Sequence, residues 1–161
     1  MRVTYHAVYL FLAALLSTTL FTALEIFGVS PNLFIIYIVF AGFYVSKTEA
    51  IWLGLVFGFV YDIIVGANVG LNGVLYMFAC FLVVVSCDNV IRRNNAIVTF
   101  IFTAVWTAVL EGINAIFGPV SGIWSAIKII VVEIFYNGTL AVVLYLALKR
   151  TYERLYDNEK R

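Results

Sequence analysis

The chain is a succession of long apolar runs separated by short polar segments. From the N-terminus, the runs cover residues 5–27, 33–45, 50–65, 69–86, 96–117 and 123–148. A helix needs about 20 residues to cross the hydrocarbon core of a bilayer. The pattern therefore predicts six transmembrane helices in one bundle over residues 1–148, with the second helix the shortest. A short polar tail follows at 149–161, and we expect it to be solvated.

The composition sets the class of protein. Apolar residues make up 64% of the 161 residues and charged residues 12%, with a mean hydropathy of +1.05. A soluble domain carries roughly 45–50% apolar and 25% charged residues. So few charges could not cover the surface of a soluble domain. The composition excludes a soluble globular domain, a disordered chain and a nucleic-acid-binding protein, and favours an all-α integral membrane protein.

The basic residues predict the orientation of this bundle. Lys and Arg are enriched in cytoplasmic connectors of membrane proteins. The connectors 28–32, 66–70 and 118–122 contain neither residue. Nine of the ten basic residues lie on the other side: Arg2, Lys47, Arg92, Arg93, Lys149, Arg150, Arg154, Lys160 and Arg161. This distribution predicts a multi-pass protein of the cytoplasmic membrane with both termini in the cytoplasm, and it requires the second run to cross.

Five ionisable residues fall inside the predicted spans, where they are costly and usually face a cavity or a partner. They are Glu25, Asp62, Glu111, Lys128 and Glu133, and the predicted topology places all of them in the outer half of the membrane. One interpretation is a polar cavity that opens outward to a ligand or a partner. The other is structural: Glu25 and Asp62 lie near water, while Glu111 pairs with Lys128.

Small residues and one acid recur every four positions in the third run, at Gly54, Gly58, Asp62 and Gly66. Residues at this spacing share one helix face, and small residues let helices approach closely in a membrane. This face either packs against a helix of the same chain or forms a groove for a partner helix.

Catalytic and metal-binding patterns are not evident in the sequence. The chain has one histidine, His6, and two cysteines, Cys80 and Cys87, without a CxxC or HExxH motif. Neither a catalytic set nor a metal-ligand cluster can be assembled from these residues by known motifs. We therefore expect no enzymatic activity, no metal and no cofactor.

One set of motifs resembles a known family. It comprises Pro31-Asn32-Leu33, then Gly54, Gly58 and Asp62 at intervals of four, then Gly70 and Gly73. Together with the chain length, the six predicted spans and the basic tail, these motifs resemble the rod shape-determining protein MreD family. The resemblance is carried mainly by residues 31–80, and the second half matches by hydropathy and connector pattern.

The resemblance implies a function. It suggests a non-enzymatic membrane scaffold of the bacterial cell-elongation machinery that binds the single-span protein MreC. Through MreC it would help connect MreB filaments to the peptidoglycan synthase RodA and its transpeptidase partner. The implied fold is similar to the S-components of energy-coupling-factor transporters, so the alternative is a vitamin-binding transporter subunit. The sequence leaves three questions undecided. They are whether the protein forms a homodimer, which helix contacts MreC, and whether the outer cluster binds a ligand.

Overall fold

The computed structural model describes residues 2–19, 25, 28–65, 70–89, 95–117 and 123–157. Within these ranges the chain is all-helical. The helices are α1 (Arg2–Thr19), α2 (Leu33–Gly42), α3 (Lys47–Val65), α4 (Leu71–Asn89), α5 (Ala96–Phe117) and α6 (Ile123–Asp157). They follow the order of the six predicted runs. Among the described residues, two helical segments are long and apolar enough to cross a membrane, Ala96–Ile116 and Ile127–Arg154.

The short helix α2 forms the centre of the bundle. Every residue from Phe34 to Gly42 is buried, and α2 packs against all five other helices. Around it, α3 packs most extensively against α4, and α5 against α6. At 1.5 Å per residue, α2 is only about 15 Å long, which is half the thickness of a hydrocarbon core. Enclosure by protein accounts for its uniformly apolar sequence, since no side of α2 needs to face water.

The distribution of polar and apolar side chains is opposite to that of a soluble protein. On α5, Thr99, Thr103 and Thr107 are no more than 1% exposed, whereas Ile97 and Ile101 are 71% and 52% exposed. Soluble proteins rarely expose continuous apolar surface of this kind. Helices in lipid bury small and polar residues against each other and present apolar residues outward. The structure therefore supports the membrane class that the composition predicts.

Two helix boundaries differ from the sequence prediction. The described part of α1 reaches Thr19, and Glu25, which the prediction placed inside the first helix, is an exposed residue outside any helix. The helix α6 continues without interruption through the predicted boundary at 148 to Asp157. The expectation of a solvated tail is corrected at Tyr152, which is 3% exposed. A buried aromatic residue one turn beyond Leu148 stabilises the continuation of the helix.

The two ends of the bundle can be named by their residues. At the Asp62 end lie the last turns of α3 and the first turns of α4, because the Asp62 side chain contacts Gly70 and Asn72. At the Tyr152 end lie the first turns of α1 and the last turns of α2 and α6, because Tyr152 contacts His6 and Tyr44.

Candidate functional site

The glycines of α3 lie against the backbone of α4. A Cβ added at Gly54 would lie 2.5 Å from the carbonyl oxygen of Tyr76, and it would also meet Met77. At Gly58 it would lie 2.6 Å from Cα of Gly73 and would overlap the carbonyl of Asn72. The two helices are therefore antiparallel and in backbone contact. Of the two interpretations of this face, the structure has internal packing, and the groove that would receive a partner helix is occupied by α4.

Asp62 joins α3 to the start of α4. Its buried carboxylate accepts hydrogen bonds from the backbone N–H of Gly70 and from Nδ2 of Asn72, both at 2.7 Å. Gly70 has a φ of +97°, a conformation that glycine adopts without steric cost. The Asp62 carboxylate thus fixes the residues that begin α4. Gly66, the fourth member of the predicted face, lies outside the described residues.

A network of buried polar side chains connects four helices near the Asp62 end. Asn137 of α6 is its centre: Oδ1 accepts a hydrogen bond from the backbone N–H of Asn32 at 2.8 Å, while Nδ2 lies 3.2 Å from Oγ1 of Thr107 and 3.3 Å from Oε1 of Glu133. Asn32 in turn donates from Nδ2 to the hydroxyl of Tyr76 at 2.7 Å. We refer to these five residues as the Asn137 network. It satisfies polar groups that would be costly to bury alone.

Asn32 also caps the N-terminus of α2. Its Oδ1 accepts hydrogen bonds from the backbone N–H groups of Phe34 and Ile35 at 3.1 and 3.2 Å. This is the geometry of an N-cap, which satisfies two of the free donors at the start of a helix. The buried helix α2 therefore begins at a residue that is itself held by α4 and α6.

The ionisable residues of the predicted outer cluster differ in their burial. Glu133 is buried and Glu111 is half-buried. Glu111 accepts a hydrogen bond from Nδ2 of Asn114 at 3.4 Å. Lys128 is exposed, and the described part of the chain contains no ion pair between it and either glutamate. The Glu111–Lys128 pair of the structural interpretation is therefore absent from the described residues, and Glu25 is exposed.

The position of Lys128 follows from helix geometry. Five residues separate Lys128 from Glu133, which is a rotation of about 140° around a helix of 3.6 residues per turn. On α6, Glu133 and Asn137 face the interior of the bundle, and Lys128 therefore lies on the exposed side of the helix. Membrane depth specifies the height of a residue along a helix but not the direction of its side chain.

At the Tyr152 end, an aromatic cluster holds three helices together. The Tyr37 hydroxyl of α2 lies 2.7 Å from Nδ1 of His6 and also hydrogen-bonds to the hydroxyl of Tyr152. Tyr9 stacks on Tyr37 with ring centroids 3.7 Å apart, and Phe40 meets Tyr152 edge-to-face at 4.9 Å. No sequence motif predicts this cluster, because Tyr37 and Tyr152 alone are 115 residues apart and the spacing of the members follows no common pattern.

Replacing Tyr152 with phenylalanine is expected to lower the free energy of unfolding by about 1 kcal/mol, the net value of one hydrogen bond. The ring packing against Phe40 and Tyr44 would remain. Unfolding in mixed detergent micelles measures the change. Tyr5→Phe is the matched control, since Tyr5 is 44% exposed and its replacement should change stability by less than about 0.5 kcal/mol. Equal effects of the two replacements would contradict the hydrogen bond from Tyr152 to Tyr37.

Comparison with known proteins identifies the family. The family model of the rod shape-determining protein MreD matches residues 2–155. The chain belongs to the MreD family. No curated protein and no solved structure matches the chain. MreD proteins are membrane-associated and act in rod shape determination, and they are not a known enzyme family. The match covers α1 to α5 and α6 as far as residue 155, so the resemblance seen in residues 31–80 extends through the second half of the chain.

Proposed function

We propose that this MreD-family protein is a non-enzymatic scaffold of the cell-elongation machinery in the bacterial cytoplasmic membrane. It would bind an MreC-like single-span protein and so help connect MreB filaments to RodA and its transpeptidase partner. The observation that carries the proposal is the family match over residues 2–155. The apolar outer surface of the helices adds support, because a bundle with little mass outside the membrane can contact its partners mainly through helix faces.

We infer that all six helices cross or enter the membrane in an S-component-like bundle, with the Tyr152 end on the cytoplasmic side. The start of α1, the start of α3 after Ser46 and the last turns of α6 lie at that end. These segments contain Arg2, Lys47, Lys149 and Arg150. This arrangement is what the enrichment of basic residues on the cytoplasmic side predicts.

Packing explains how such a short α2 can take part in this topology. Phe34, in its first turn, contacts Tyr61 near the Asp62 end, and Phe40 contacts Tyr152. The helix thus runs from the Asp62 end toward the Tyr152 end, antiparallel to α3. Non-helical backbone at membrane depth is tolerated where protein encloses it. Residues on either side of α2 can therefore complete a crossing that ten helical residues alone could not make.

Co-purification tests the proposal directly. The C-terminally tagged protein, extracted gently from membranes of its own bacterium, should retain an MreC-like protein that mass spectrometry identifies, without a stoichiometric small ligand. The untagged strain is the control. A tightly bound vitamin-like solute, or an ATP-driven transporter module in place of the MreC-like protein, would contradict the scaffold proposal and support the transporter-subunit alternative.

A further inference from the structure

Three threonines of α5 lie on one buried face, and their hydroxyls differ in hydrogen bonding. Thr99, Thr103 and Thr107 follow each other at intervals of four residues, and each is no more than 1% exposed. The Thr99 hydroxyl donates to the carbonyl oxygen of Asn95 at 3.1 Å, and the Thr107 hydroxyl accepts from Nδ2 of Asn137 at 3.2 Å. Among the described residues, the Thr103 hydroxyl has no hydrogen-bond partner.

The bond that a threonine commonly makes within a helix is not made at Thr103. A threonine hydroxyl in a helix can donate to the carbonyl oxygen four residues earlier. Thr99 of the same helix and Thr139 of α6 both make this bond, at 3.1 and 2.7 Å. The Thr103 hydroxyl does not bond to the carbonyl oxygen of Thr99. Its proton and its oxygen lone pairs are therefore both available to a ligand inside the bundle.

The chemistry of this position favours water as the ligand. Buried polar groups that the protein itself does not satisfy are commonly bonded to ordered water, because an unpaired buried hydroxyl is costly. The ligand must be small, since Thr103 is 0% exposed, and it must pair with a group that both donates and accepts. A metal cation would need several charged or polar ligands, and the described part of the chain contains no group of three or more His, Cys, Asp or Glu side chains that could hold one.

A second partner for a water at Thr103 lies one helical turn away. Side chains four residues apart on a helix have Cβ atoms about 5–6 Å apart. One water that forms two hydrogen bonds of about 2.8 Å can bridge hydroxyls at this spacing. The oxygen of Thr107 accepts from Asn137, so the proton of the same hydroxyl can donate to the water.

We propose that the buried face of α5 holds an ordered water that hydrogen-bonds to the hydroxyls of Thr103 and Thr107. This water extends the Asn137 network by one helical turn toward the start of α5. Because Asn137 also accepts from the backbone N–H of Asn32, the water connects α5 to the residue that caps α2. The site is independent of the scaffold function, since it concerns only the interior of the bundle.

An experimental structure of the full chain, at a resolution that shows ordered waters, tests the proposal directly. Density for one water is expected about 2.5–3.0 Å from Oγ1 of both Thr103 and Thr107. The Thr103→Val variant should lose this density and keep the positions of the surrounding helices. The proposal would be overturned by a Thr103 hydroxyl that bonds to the Thr99 carbonyl or to another protein group. A well-ordered Thr103 without a water, or with a water that does not reach Thr107, would overturn it as well.

Stability provides an independent test, because a hydrated and a dry hydroxyl predict effects of opposite sign. Thr103→Val keeps nearly the same shape and removes the hydroxyl. If the hydroxyl binds water, hydrogen bonds are lost, and the equilibrium constant for unfolding in mixed micelles should rise about fivefold or more. If the hydroxyl is dry, the variant removes an unsatisfied polar group, and the constant should fall. A constant that falls or stays the same would overturn the proposal.

Thr99→Val is the matched control for this measurement. It makes the same change on the same buried face of α5. The acceptor of the Thr99 hydroxyl, the carbonyl oxygen of Asn95, is also bonded to the backbone N–H of Thr99 at 3.0 Å. The loss of this hydroxyl therefore leaves no group unpaired, and the unfolding constant should change by less than about twofold. An effect at Thr103 no larger than that at Thr99 would contradict the bound water.

Discussion

Replacing Gly58 with leucine is expected to prevent the bundle from folding. The new Cβ would overlap the carbonyl of Asn72 and lie 2.6 Å from Cα of Gly73, so backbone atoms of α4 would have to move. Overpacking against flexible side chains costs about 1–3 kcal/mol. Backbone cannot move aside as a side chain can, so we expect a loss of about 3 kcal/mol or more and little recoverable protein. Size-exclusion chromatography in mild detergent and unfolding in mixed micelles measure the loss.

Gly112→Leu provides the matched control for this prediction. Gly112 is also a helical glycine, and a Cβ added there would meet nothing within 4 Å. The same change in side chain should therefore lower stability little at position 112. If Gly58→Leu and Gly112→Leu were equally stable, the backbone contact between α3 and α4 would be contradicted. A Gly58 variant that stays folded yet loses its partner would restore the glycine face as a candidate partner site.

Replacing Asn137 with leucine is expected to lower the free energy of unfolding by about 2–4 kcal/mol. The side chain is fully buried, and its loss removes the acceptor of the Asn32 N–H and the donor to Thr107 and Glu133. Each buried polar group left without a partner costs about 1–3 kcal/mol. The volume of leucine is similar, so the effect would report the hydrogen bonds and not a cavity. Unfolding in mixed micelles, followed by tryptophan fluorescence, provides the measurement.

Thr139→Val is the control on the same helix. The Thr139 hydroxyl is exposed and donates only locally, to the carbonyl oxygen of Phe135 at 2.7 Å, so its removal should change stability by less than about 0.5 kcal/mol. A loss at Asn137 no larger than that at Thr139 would mean that the Asn137 network does not stabilise the bundle.

Much of the bundle follows from the lengths of the apolar runs and the polar segments between them. The prediction of six helical segments is confirmed, and the fifth run matches α5 at both ends. The spacing of Gly54 and Gly58 indicated a close helix approach, which the structure has. The spacing did not indicate which helix approaches, because a small-residue face can accept a helix from the same chain or from another.

Two kinds of contact could not be predicted from the sequence. One depends on which side of a helix a side chain occupies, and the other joins residues that are far apart along the chain. Lys128 faces outward because of its angular position on α6. Tyr37 and Tyr152 meet across 115 residues, and no local pattern specifies this pair. The enclosure of α2 was also not predictable, because a short apolar run is compatible with either a lipid-facing or an enclosed helix. Enclosure became evident only from the packing of the five other helices around it.

Depletion of the protein from its own bacterium tests the central claim most directly. The family and the scaffold proposal predict that rod-shaped cells become wider and rounder as the protein is lost, measured as cell width and length by microscopy. Re-expression of the unaltered chain should restore the rods, Gly112→Leu should restore them as well, and Gly58→Leu should not. Cells that keep their rod shape after complete loss of the protein would contradict the account.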